Sequence, residues 1–175
     1  MTNSELSKPK ICRVLDNIVL KIGLVVGWAN VMLIAAIIIN VVMRYAFGFG
    51  QVWLEEVQWH LYGLAVMIGL SYSQVVDSPI RVDILHQRFS PRTKAFWEIF
   101  GTLVFLLPWI VVIIDQGIGF WSESWRVNES SDSPLGLPWR WIIKSVIPIS
   151  FTLLGMAAVS RLISSFMILI GRREA

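Results

Sequence analysis

The tetrapeptide Trp53-Leu54-Glu55-Glu56 places an indole and two adjacent carboxylates where a long apolar run begins. Carboxylates at such a boundary have few uses. They complement the positive end of a helix, at about 0.3–1 kcal/mol each, or pair with a cation. Arg44, at the far end of the same short loop, is a candidate partner, and an exposed pair contributes about 0–1 kcal/mol. The other reactive side chains form no catalytic pattern. His60 and His86 are the two histidines, and the apolar runs put them on opposite sides of any membrane, so they share no haem or metal. The chain has no GxxxxGK[ST], HExxH or CxxC motif, and no Ser, His and acid converge. An enzyme is not expected, and no catalytic, cofactor or metal residue is assigned.

The elements that must position these groups are legible in the composition. Of 175 residues, 55% are hydrophobic and 15% charged, with a mean hydropathy of +0.66, outside the balance of a soluble domain. A helix needs roughly 20 apolar residues to cross a hydrocarbon core of about 30 Å. Four runs qualify, at residues 22–43, 57–76, 95–114 and 142–165, the last inside an apolar stretch that reaches 170. They are continuously apolar rather than alternating, which excludes a β-barrel. The expectation is an all-α integral membrane protein, one small membrane domain over 1–175 with four transmembrane helices and short interfacial or amphipathic helices. Lys8, Lys10, Arg13 and Lys21 precede the first span, Arg81, Arg88, Arg92 and Lys94 lie between the second and third, and Arg172 and Arg173 follow the fourth. By the positive-inside bias both termini are cytoplasmic. Basic residues clustered on alternate loops, with only Arg44, Arg126, Arg140 and Lys144 on the others, give no reason to invoke nucleic acid. Cys12 is the single cysteine, so no internal disulfide forms, and its basic surroundings point to a reducing compartment.

Within the spans, Gly23, Gly27 and Asn30 make a stripe on which another helix can approach, with packing inside the chain as the favoured reading. In the second run Glu55, Gln58, Tyr62, Ala65 and Gly69 share one face. Ser78-Pro79 reads as a helix start and Pro91 as a stop, bounding a short helix on the membrane surface with Val82, Leu85 and Phe89 on one side. Pro108 is expected to kink the third span and to free a carbonyl. Trp121 and Trp125 suggest an amphipathic outer helix after Ile114 that ends in a loop. Arg161 at mid-membrane costs about 2.5–3.5 kcal/mol, so it must reach the inner boundary, the preferred reading, or meet a carboxylate or a helix carbonyl. Lys144 then marks the outer boundary of the same helix.

Trp53-Leu54-Glu55-Glu56, Gly69, Asp77, Arg81-Val82-Asp83, Glu129-Ser130-Ser131, Gly136-Leu137-Pro138 and Lys144 together resemble the small, Q-type membrane subunit of tripartite ATP-independent periplasmic (TRAP) transporters, across nearly the whole chain. One departure is that relatives often carry a histidine shortly before the Val-Asp pair, where this chain has Pro79 and Ile80. The resemblance implies a multi-pass protein of the bacterial inner membrane that acts as scaffold and assembly partner. Its implied partners are membrane lipids, a periplasmic solute-binding protein and a large membrane subunit that moves solute by a sodium-coupled elevator motion. Any sodium site would then lie in the large subunit, and the solute would be an organic acid or related compound, with polyols and aromatic carboxylates nearest. Trp53, Glu55 and Glu56 would order the second helix and the subunit contact. Gly23, Gly27, Asn30, Arg81, Asp83, Lys144 and Arg161 are the other interface or structural candidates. The alternative class is a membrane anchor of a redox or signalling complex, which would require cofactor ligands or a soluble catalytic partner.

Overall fold

The computed structural model describes residues 9–76 and 89–170, and every regular element among them is helical. Helix α1 spans Lys10–Ala46, α2 Val52–Val75, α3 Pro91–Gly101, α4 Leu107–Arg126 and α5 Trp141–Leu169. A π-helical turn, Thr102–Leu106, joins α3 to α4, so that Pro91–Arg126 is one uninterrupted helical segment of 36 residues. Lys10–Ala46, Pro91–Arg126 and Trp141–Leu169 are long and apolar enough to cross a membrane. α2 has 24 residues, or about 36 Å at 1.5 Å per residue. Glu55, Glu56, Gln58, His60 and Gln74 dilute its apolar stretch, and it is not among the three.

Local chemistry sets most of the ends. After α1, Gly48 adopts φ +71° and the Phe49 N–H bonds the Met43 carbonyl, turning the chain towards α2; a side chain at Gly48 would be strained. Pro91, read as the stop of a preceding helix, takes the first position of α3. Ser90 accepts a hydrogen bond from the Thr93 N–H at 3.3 Å, and proline loses nothing at the first helical position. α4 ends in a Schellman arrangement: Asn128 takes φ +47°, its N–H bonds the Trp125 carbonyl, and the Glu129 N–H bonds the Ser124 carbonyl. The outer helix expected after Ile114, carrying Trp121 and Trp125 and ending in a loop, is the continuation of α4 to Arg126. The short surface helix expected after Ser78 lies outside the described residues, as do Arg81 and Asp83.

Pro108 has no N–H to offer the Val104 carbonyl. The ladder is re-spaced just before it, with the Leu107 N–H reaching back five residues to the Thr102 carbonyl. Here a π turn accommodates the proline.

α5 is the hub of the bundle and packs against α1, α2, α3 and α4. Its core contacts bring Leu153 and Ala157 together with Val19 of α1 and Ile68 of α2, flanked by Ile22, Val26, Leu64, Val75 and Met156. Between helices in lipid the apolar driving force is weak, and small residues that let backbones approach take its place. Ala157, Ala158, Ser150 and Ser160 of α5 are all buried. Ser71 Oγ donates to the Ser150 carbonyl at 3.0 Å. Cys12 Sγ and Ser160 Oγ each donate to the other's carbonyl, at 3.6 and 3.4 Å. On the α4 side Gly117 lies against Pro148 of α5, with a Cβ there meeting Ile147 Cγ2 at 3.1 Å. Large side chains such as Val25, Trp28, Phe105 and Trp109 point outward, as expected of surfaces that meet lipid.

Candidate functional site

Successive helical residues point about 100° apart, so the four residues of Trp53-Leu54-Glu55-Glu56 separate into different environments. Trp53 is exposed at the helix start, and Leu54 is buried. Glu55 turns back to Arg44 and forms an ion pair with it, both side chains about half exposed. Glu56 faces the loop between α4 and α5. Its Oε1 accepts a hydrogen bond from Ser131 Oγ, and its Oε2 accepts one from the Leu137 N–H at 2.5 Å. His60 Nδ1 lies 2.5 Å from the Glu56 carbonyl, one turn along α2.

The loop is shaped to receive that carboxylate. The Ser131 N–H bonds the Leu137 carbonyl at 3.0 Å, the Gly136 N–H bonds the Ser133 carbonyl at 3.0 Å, the Ser133 N–H bonds Ser131 Oγ at 3.2 Å, and the Arg140 N–H bonds the Glu129 carbonyl at 2.9 Å. A Cβ at Gly136 would collide with the Ser131 side chain and sit 2.8 Å from Glu56 Oε1. Only glycine leaves room for the clip. Trp139 closes the loop with φ +61°, a costly conformation for a non-glycine residue. The Ser131 hydroxyl, the Leu137 N–H and the positive charge of Arg140 hold the Glu56 carboxyl below the usual carboxylate range, against a smaller desolvation effect.

A second group fastens the same loop to α5. Lys144 Nζ pairs with Glu129 and lies 3.9 Å from the centroid of the Phe120 ring. Arg140 Nη1 is 3.8 Å from Glu129 and 3.6 Å from Asp132. The Lys144 ammonium is the main reason the Glu129 carboxyl also lies below its ordinary value. Trp125 meets Trp141 edge-on, with centroids 4.3 Å apart. Glu129-Ser130-Ser131, Gly136-Leu137-Pro138 and Lys144, read as separate stretches in the sequence, thus form one structure around Glu56. The helix-capping reading of Glu56 gives way to this longer reach.

The opposite end carries a half-buried charge of the other sign. Arg161 of α5 pairs through Nε with Glu98 of α3 and donates from Nη1 to the Gln74 carbonyl of α2 at 3.2 Å. It takes the carboxylate and the carbonyl together, while its neighbour Ser160 lies level with the first turn of α1. The sequence reading offered Arg161 a carboxylate or a helix carbonyl without naming which. The available signal was two opposite charges bounding spans three and four at the same end of the bundle.

Gly23, Gly27 and Asn30 do not act as one stripe. Gly23 packs on Tyr72 of α2, where a Cβ would lie 2.6 Å from the ring. A Cβ at Gly27 meets nothing within 4 Å, and Asn30 is exposed. Among the described residues no group of three His, Cys, Asp or Glu side chains is arranged to hold a metal ion.

A family model described as "Tripartite ATP-independent periplasmic transporters, DctQ component" matches residues 33–167. The chain belongs to this family. The matched region contains both fastenings, from Arg44 and Glu56 to Lys144 and Arg161. No curated protein matches the chain. As a DctQ component it is a multi-pass membrane part of a transporter, and the redox-anchor alternative falls away.

Proposed function

We propose that this chain is the fixed membrane subunit of a TRAP transporter, a scaffold against which a large partner subunit moves solute. In this reading all four helical segments cross the bacterial inner membrane, with α2 as the polar fourth span and both termini in the cytoplasm. The clip around Glu56 then faces the periplasm, where the solute-binding protein docks, and Arg161 lies at the cytoplasmic boundary. Sodium coupling and most solute contacts belong to the large subunit, and the solute is an organic acid or a related compound.

The observation that carries the reading is that α5 touches every other helix and is fastened at both ends by charged groups, through Lys144 to Glu129 and through Arg161 to Glu98 and α2. A bundle tied at both ends resists the relative sliding that a carrier must undergo, which suits the stationary partner. The test is reconstitution in liposomes with the large subunit and the binding protein, with distances measured between spin labels on α1 and on the 131–137 loop. Uptake is expected to need all three proteins, and the distances to stay constant when sodium and solute are added. Solute accumulation by this chain alone, or a native assembly without a large carrier, overturns the proposal.

A further inference from the structure

We infer that the first turns of α1, residues 10–21, are a binding element for anionic phospholipid of the cytoplasmic leaflet, an assignment that rests on the topology proposed above. Lys10, Arg13, Asn17 and Lys21 follow one another at three- and four-residue steps, which sets them in one row along the helix. All four side chains are exposed. The one acidic residue of α1, Asp16, is instead buried between Cys12 and Val19 on the packed side. The hydrogen bonds between Cys12 and Ser160 hold this stretch against α5, so the helix cannot roll the row inward. Lys10, Arg13 and Lys21 thus put three positive charges on the outside, with no carboxylate of α1 exposed beside them.

Along its length the row changes chemistry as a phospholipid does, charged first and apolar after. Ser160, the bonding partner of Cys12, adjoins Arg161, which the proposed topology sets at the cytoplasmic boundary, so Lys10 and Arg13 stand at headgroup depth. Further inward the same side of α1 carries Leu24, Val25 and Trp28, all exposed. The helix has 37 residues, about 55 Å at 1.5 Å per residue, against a core of about 30 Å. Inclination accommodates that length and lays residues 10–21 obliquely through the headgroup layer. Exposed Ile11, Val14 and Ile18 flank the basic row on one side. There they enter the acyl boundary while the two lysines and the arginine reach up to phosphate. A protein helix on this row would have to bring several carboxylates to the bilayer edge, whereas an anionic leaflet supplies negative phosphates there along the whole row.

The experiment reconstitutes the full chain in bilayers of phosphatidylcholine and phosphatidylglycerol and measures, with spin-labelled forms of each, their relative association with the protein. Wild type is compared with the triple variant Lys10→Gln, Arg13→Gln, Lys21→Gln, with the charge-preserving Lys10→Arg, Arg13→Lys, Lys21→Arg, and with Arg126→Gln at the outer end as control. Wild type is expected to favour phosphatidylglycerol about fivefold, the factor for one basic side chain at an anionic surface, and to lose the preference as salt rises. The Gln variant should lose most of it at low salt too, while the charge-preserving variant and Arg126→Gln keep it. In pure phosphatidylcholine all four should share one unfolding midpoint, and a lower midpoint for the Gln variant there would make the cations structural and overturn the assignment. Equal association of the two lipids with wild type, or a preference that survives the Gln changes, overturns it and leaves the scaffold reading standing. A Gln variant that keeps its lipids but releases a co-expressed large subunit gives the row to a protein partner and overturns it as well. An amino terminus that is labelled from the periplasmic side in cells overturns both this inference and the topology beneath it.

Discussion

At one end of the bundle a carboxylate, Glu56, is held by uncharged donors, the Ser131 hydroxyl and the Leu137 N–H. At the other a guanidinium, Arg161, is held by a carboxylate, Glu98, and by the Gln74 carbonyl. Both fastenings tie α2 to distant chain, yet they depend on different things. The Glu56 clip needs a loop of particular backbone shape, and its strength is spread over Ser131, Gly136 and Leu137. The Arg161 tie joins helices in register and sets opposite charges against each other where both are largely withdrawn from solvent. Loss of one partner should therefore be graded at the loop end and severe at the helical end.

The largest effect separating the two ends is expected from Arg161→Met. Breaking a buried ion pair costs about 3–5 kcal/mol, and the lower part of that range applies because the Arg161 and Glu98 side chains keep 16% and 25% of their exposure. Thermal unfolding in nanodiscs should show the loss, and Glu98→Met in the same chain should recover much of it. A double variant as unstable as Arg161→Met would show that the tie is not mainly electrostatic.

Gly136→Ala comes next. The added methyl forces Ser131 and Glu56 apart, for an expected loss of about 1–3 kcal/mol, read as a lower unfolding midpoint. An unchanged midpoint would mean that the loop relaxes freely and is no clip.

Glu56→Gln should cost more than Glu55→Gln, about 1–2 kcal/mol against about 0–1 kcal/mol for the exposed Arg44 pair. In the assembled transporter the double change Glu55→Gln, Glu56→Gln should weaken co-purification or uptake more than Lys94→Gln or Arg126→Gln. Intact uptake in that double variant would remove the clip from any role in assembly.

Acid distinguishes the ends more gently. The Glu56 and Glu129 carboxyls are held below the ordinary value of 4.5, so their ionised forms favour the folded state. That contribution is fully present above about pH 4.5 and is lost as pH falls through the lower folded values. Stability between pH 7 and 5 should be flat on their account, with a decline below that shrinking in Glu56→Gln, Glu129→Gln. The smallest effect belongs to Arg126→Gln. The Glu123–Arg126 pair is one turn apart and largely exposed, and no change in unfolding midpoint is expected.

Much of the fold could be read from local pattern. The runs at 22–43, 57–76 and 142–165 lie almost wholly within α1, α2 and α5, because apolar length and helical propensity are properties of contiguous residues. The third run was harder. Residues 95–114 were read as a complete span, but the helix runs from Pro91 to Arg126, since polar residues beyond the apolar core do not break a helix that has no stop signal until Asn128. Within the site, the Arg44–Glu55 pair was legible because eleven residues and one short loop separate its members.

The sequence alone determined the class of protein: apolar runs of spanning length, basic residues clustered on alternate loops, and a small set of charged residues at the span ends, Glu55, Glu56, Lys144 and Arg161. Tertiary structure alone decided the pairings. Ser131 and Leu137 come to Glu56 across 75 and 81 residues, and Gln74 to Arg161 across 87. Those meetings follow from α5 lying at the centre of the bundle, where every other helix must pack on it, and no local spacing rule contains that arrangement.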